Sequence, residues 1–107
     1  MKSSSLLRLL VALHALTGLH ATAQTADTLG KIRGSGVIVL GHRESSIPFS
    51  YYDDRQQVVG YSQELMQKVV EAVKAELKLP ALQVKLIPVT SQNRISLVQN
   101  GTVDIEC

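Results

Sequence analysis

Between residues 62 and 79 the apolar side chains Leu65, Met66, Val69, Val70, Val73 and Leu77 return every three or four positions. That spacing lays them along one stripe of an amphipathic helix. Ser62 is placed to cap its start, Glu64 falls in the first turn, where the helix dipole favours an acid, and Pro80 blocks continuation. Upstream, Val37, Ile38, Val39 and Leu40 form an unbroken apolar run, the form of a short strand buried on both faces. Residues 83–89 alternate or run apolar as a second strand. Residues 91–99 read as a second helix, capped by Thr90 or Ser91 and ended by Asn100 and Gly101. A third strand starts at 103–107. Two lesser elements complete the pattern. Residues 28–33 suit a short helix closed by Gly34, Ser35 and Gly36. Residues 49–52 and 58–59 flank a polar stretch and read as a surface hairpin. Strand, helix, strand, helix, strand is the order of a parallel α/β sheet with right-handed crossovers.

The first residues belong to a different pattern. Lys2 precedes a stretch, 6–19, dominated by Leu, Val and Ala, and Ala21, Thr22 and Ala23 supply a small-x-small site. This is the sequence of a secretory leader, 1–23, cut after Ala23, and the apolar part is too short and too interrupted to span a bilayer. Setting it aside leaves 84 of the 107 residues as one small domain, 24–107. Lys2 and Arg8 go with the leader, so the eleven basic residues become nine against nine acidic ones. A balance near zero excludes the nucleic-acid binders, which need a basic excess to displace counterions. Small solutes or proteins are the expected partners. Cys107 is the single cysteine and the last residue, an uncommon state for an exported chain. The strand-like alternation around it stops without a turn, so truncation inside a strand is the expectation.

In open α/β sheets ligands bind beyond the carboxyl ends of the strands. Two loops qualify: GHRESS after the first strand, with Arg43, and TSQNR after the second, with Ser91 and Arg94. A cation in the first turn of a helix is mildly disfavoured by the dipole, and makes more sense beside a bound anion. Arginine suits a carboxylate because its planar fork donates two parallel hydrogen bonds. Two plainer readings stand beside this one: Arg43 pairing with Glu44, and Arg94 as a solvated helix residue. Phe49, Tyr51 and Tyr52 read as hairpin packing, and Ser45 and Ser46 as loop hydrogen bonders. His42 has no second metal ligand at useful spacing. No nucleophile elbow, phosphate loop or zinc site is written here, and no buried acid is placed for general acid work.

The stretches GHRESSIPFSYYD, VVGYSQEL, VKLIPVTSQNR and LVQNGTVDIEC together resemble the glutamate/aspartate-binding proteins of bacterial ABC importers, within the wider polar-amino-acid solute-binding family. The resemblance implies part of a two-lobed, Venus-flytrap α/β protein, exported to the periplasm. It implies that Arg43, Ser91 and Arg94 hold the side-chain carboxylate of a glutamate or aspartate. It implies an inner-membrane ABC permease as partner, a monomer, no cofactor, no metal and no catalysis. Family members are more than twice this length, so the second lobe and a downstream cysteine that pairs with Cys107 are expected to be missing here. Such a portion by itself is expected not to bind, because half a cleft leaves the ion pair in water. The alternatives are a periplasmic dehydratase-type enzyme and a sensory domain on the same scaffold.

Overall fold

A computed structural model describes residues 27–107; the expected leader, 1–23, lies outside them. The chain opens with α1, Thr28–Ser35, whose Gly30 N–H donates to Asp27 Oδ1 at 2.8 Å and whose end is closed by the Gly36 N–H on Ile32 O. Strand β1, Val37–His42, follows and runs two residues further than the apolar run alone indicates. Next come β2 (Ser45–Ser46), β3 (Ser50–Tyr52) and β4 (Val58–Val59), then the long helix α2, Tyr61–Leu77. Strand β5 (Gln83–Pro88), helix α3 (Arg94–Gln99) and strand β6 (Ile105–Glu106) complete the order.

Strand β1 is the middle of a three-stranded sheet in the order β5-β1-β6, parallel on both sides. Register runs from Val37 opposite Gln83 to His42 opposite Pro88 on one side, with Leu40 opposite Ile105 on the other. The parallel α/β expectation therefore holds. Ile38 and Leu40 are fully buried and meet Met66, Val70 and Leu77 of α2, with Ile32 of α1 and Leu82 closing the ends. Each such side chain contributes about 1.5–3 kcal/mol on leaving water. The expected α2 stripe is narrower than written: Leu65 and Val69 remain 41% exposed. They precede Met66 and Val70 by one residue, which turns them about 100° away from the sheet.

The hairpin gains a strand. β2, β3 and β4 form a small antiparallel sheet, so Ser45 and Ser46 pair as a strand where a loop was expected. Asp53 Oδ1 accepts the N–H groups of Arg55 and Gln57 and fixes the turn between β3 and β4.

Two helix starts differ from expectation. Gly60, not Ser62, is the N-cap of α2, and Ser62 is buried inside the first turn. The free N–H groups are met by backbone: Tyr61 donates to Pro48 O at 3.0 Å and Ser62 to Phe49 O at 2.8 Å. A side-chain cap is unnecessary once the hairpin supplies carbonyls. Helix α3 starts at Arg94, not at 91, after a turn in which Thr90 Oγ1 accepts the Asn93 N–H and Asn93 Oδ1 accepts the Thr90 N–H. Strand β6 is shorter than 103–107: the Asp104 N–H donates to Val39 O at 2.9 Å, but the Val39 N–H goes to Asp104 Oδ2 at 2.8 Å instead of to a backbone carbonyl.

Candidate functional site

The carboxyl ends of β1 and β5 and the start of α3 meet at one edge of the molecule. Arg43 is the first residue beyond β1. Its backbone is gripped twice by the buried Ser50: the Arg43 N–H donates to Ser50 Oγ at 2.9 Å, and that hydroxyl donates to Arg43 O at 3.1 Å. His42 Nδ1 lies 3.2 Å from the same carbonyl, and its ring meets Tyr52 edge-on at 5.4 Å. His42 is thus a buried structural residue that helps fix where Arg43 leaves the sheet. The Arg43 guanidinium makes no ion pair among the described residues, with Glu44 or any other acid. The plain reading of Arg43 as a paired surface charge is not what the fold displays.

Arg94 is different. Its Nε and Nη2 both donate to Glu106 Oε2, at 2.7 and 2.5 Å. The Glu106 side chain is only 6% exposed and that of Arg94 is 35%. Arg94 is therefore neither a free cation nor a solvated helix residue but half of a largely buried pair. Glu106 stands on β6 opposite Gly41. A Cβ on Gly41 would come within 3.0 Å of Glu106 Cγ and 3.1 Å of Val103 and Val89, so a bare backbone makes the room that the glutamate fills.

Arg43 and Arg94 line one open cavity of about 330 Å³ with Ser46, Phe49, Ser50, Ser62 and Cys107. Ser91 is not among these residues. It is exposed and lines a neighbouring depression of about 310 Å³, with Arg43, Glu44, Ser45 and Thr90. Arg43 is common to both, so the three expected residues lie around one edge. Glu106 leaves Arg43 and Arg94 one net positive charge between them, and Glu44 borders the neighbouring depression. A guanidinium has five N–H donors, and Arg94 has used two on Glu106, leaving three. Donors, hydroxyls and a residual positive charge suit a carboxylate. Among the described residues no three of His, Cys, Asp and Glu gather as metal ligands.

Glu106 was the residue missed by reading the sequence: it is a buried acid, though one paired with Arg94 and so not placed for general acid work. The signal was present: an acid between Ile105 and a cysteine in a strand cannot be buried without a cation, and Arg94 is the nearest basic residue before it. Asp104 is a second buried acid, with its side chain 1% exposed and Lys31 Nζ 2.7 Å from Oδ1. It serves the other end of the fold, tying α1 to the start of β6.

Residues 38–107 match the bacterial extracellular solute-binding proteins, family 3. The chain belongs to that family. This solute-binding protein is 62% identical over 94 residues to the glutamate/aspartate import solute-binding protein of Salmonella typhimurium, covering 88% of the chain and 30% of the relative. It is 64% identical over 87 residues to the protein of the same name from Escherichia coli, covering 81% of the chain and 29% of the relative. It is 59% identical over 85 residues to an L-glutamate/L-aspartate-binding protein of Pseudomonas aeruginosa, covering 78% and 28%. The chain thus spans about 30% of the length of the curated relatives it matches.

Solved structures agree on the fold. The arginine-bound form of truncated ArgBP from T. maritima superposes with a TM-score of 0.60 at 17% identity, over 72% of this chain and 33% of that one. An ancestral amino-acid-binding protein, described as a precursor of cyclohexadienyl dehydratase, gives 0.61 at 26% identity over 76% and 33%. The arginine-bound form of domain 1 from TmArgBP gives 0.53 at 18% identity over 71% and 55%. The frame is that of part of one solute-binding lobe, spanning 55% of that domain.

Proposed function

We propose that this chain supplies the anion-gripping edge of a periplasmic binding protein that captures glutamate or aspartate for an inner-membrane ABC permease. The observation that carries the reading is Arg43: a guanidinium without an ion pair among the described residues, anchored through its backbone and facing a cavity that it shares with Arg94. An arginine held in this way, with its charge unspent, is arranged for an acid from outside. The naming of the relatives as glutamate/aspartate import or binding proteins supports the same ligand class. Arg43 and Arg94 receive the side-chain carboxylate, and Ser91, one turn before Arg94 at the neighbouring depression, adds a hydroxyl as the ligand settles. The protein works as a monomer.

Binding without catalysis fits the engagement of Glu106, the acid paired with Arg94. Glu106 accepts two N–H bonds from Arg94 on one oxygen, so this acid is engaged in that pair. A dehydratase needs a general acid, and this one is committed to Arg94. The test is calorimetric titration of the protein, expressed whole from its own gene, with L-glutamate, L-aspartate, L-glutamine and L-arginine. Micromolar or tighter binding, roughly 8 kcal/mol or more, is expected for the two acids alone. Preference for arginine or glutamine would refute the reading.

A further inference from the structure

Glu106 makes its pair with Arg94 in an unusual way for a residue whose task is stability. Both N–H donors converge on Oε2, while Oε1 is buried and has no hydrogen-bond partner among the described residues. A pair selected for its energy would use both oxygens, and even well-made buried pairs seldom outdo an apolar replacement. Gly41 is also bare where the glutamate chain crosses it, so the sheet gives up packing to seat this side chain. What the arrangement does achieve is direction. By taking the Nε–Nη2 edge, Glu106 turns the opposite part of the guanidinium, Nη1 and the remaining Nη2 hydrogen, away from β6. Arg94 lines the cavity while Glu106 does not.

We infer that Glu106 is the positioning residue of the site: it fixes which edge of Arg94 a ligand carboxylate meets, and it holds the local charge at one positive, the match for a single carboxylate. The inference rests on the proposed binding of acidic amino acids and adds a residue to it. A guanidinium free to swing would still attract anions, but it would present its fork to the ligand only part of the time. Binding falls by that fraction.

The experiment uses the whole protein and two readouts. Calorimetry with L-glutamate compares wild type, Glu106→Ala, Glu106→Gln, Arg94→Lys and the Glu106→Ala/Arg94→Lys pair, after circular dichroism has confirmed that each is folded. Nitrogen-15 spectra follow the Arg94 Nε–H. Glu106→Ala is expected to weaken binding by about tenfold to a hundredfold. The isosteric Glu106→Gln, which keeps an acceptor for Nε–H, should recover part of the loss. Arg94→Lys has no fork to orient, so adding Glu106→Ala to it should change little. The Nε–H signal should be resolved in wild type and lost to exchange in Glu106→Ala. Should Glu106→Ala and Glu106→Gln bind as tightly as wild type, the positioning role is overturned while the ligand assignment stands. Equal losses on the wild-type and Arg94→Lys backgrounds overturn it too, since Glu106 would then act other than through Arg94. Wild type failing to bind glutamate removes both readings together.

Discussion

The two arginines of the site should behave oppositely when stability, not binding, is measured. Arg43 makes no ion pair among the described residues, and its fixed points are backbone atoms, which survive Arg43→Ala. A partly exposed side chain with no such partner costs within about 0.5 kcal/mol on removal. Arg94→Ala instead strands a carboxylate whose side chain is 6% exposed and whose Oε1 has no partner. Breaking a buried pair in this way costs about 3–5 kcal/mol. Since Arg94 is itself about one-third exposed, water can enter the space it leaves, which lowers the figure to roughly 2–3 kcal/mol. Urea unfolding followed by circular dichroism measures both variants. The decisive case is Arg94→Ala/Glu106→Gln, which removes the stranded charge and should be more stable than Arg94→Ala alone by about 1–2 kcal/mol. If Arg43→Ala destabilises as much as Arg94→Ala, or if the double variant is worse than the single, the description of Glu106 as a buried, dependent acid is wrong.

Three further outcomes follow from the same contacts. Gly60→Ala would put a Cβ 2.4 Å from Phe49 O at a φ of 118°, so the hairpin must move off α2; a loss of roughly 2–4 kcal/mol in urea unfolding is expected, and a neutral result would contradict the close approach. Ser50→Ala removes both side-chain bonds to the Arg43 backbone and should cost about 1–2 kcal/mol together with a weaker glutamate titration; unchanged binding would separate that clamp from the site. Asp104→Ala leaves the Val39 N–H without its acceptor and should destabilise by about 1–3 kcal/mol, whereas Asp104→Asn, which keeps an acceptor oxygen, should lose less; equal losses would assign the effect to Lys31 instead.

Legibility in the sequence followed how local each cause is. The stripe of α2 and the apolar run of β1 depend on spacing alone, and both elements appear where spacing put them. The parallel sheet followed from element order, and Arg43 and Arg94 from the rule that ligands bind past strand ends. The start of α2 was not legible, because Ser62 looks like a cap until the carbonyls of Pro48 and Phe49 arrive from the hairpin. Nor was the start of α3, since Thr90 and Asn93 bond to each other across a turn that periodicity reads as helix. The brief length of β6 reflects the Asp104 carboxylate taking the Val39 N–H in place of a backbone carbonyl. Each miss is a contact between segments distant in sequence or a side chain taking a backbone role. Glu106 belongs with them: the strand pattern alone does not show that it is buried, and its partner is twelve residues earlier.

The charge of the ligand is a property of very few side chains here. A protein solved with arginine bound shares the fold at 17% identity, so the fold alone does not set the sign of a ligand's charge. The fold therefore fixes a location and leaves the sign of the guest to the loops. In this chain the loops after β1 and β5 bring two guanidinium groups to one cavity and let a single carboxylate, Glu106, offset one of them. Without Glu106 the edge would hold two like charges, and the second would find no neutralising partner until a ligand came. On the proposed binding, Glu106 holds Arg94 as a directed donor and Arg43 supplies the charge that a ligand neutralises. Preorganisation of this kind reduces the ordering cost of binding to the ligand and to the Arg43 side chain. On that proposal, the acid that looks most out of place in the strand gives the cation beside it its direction.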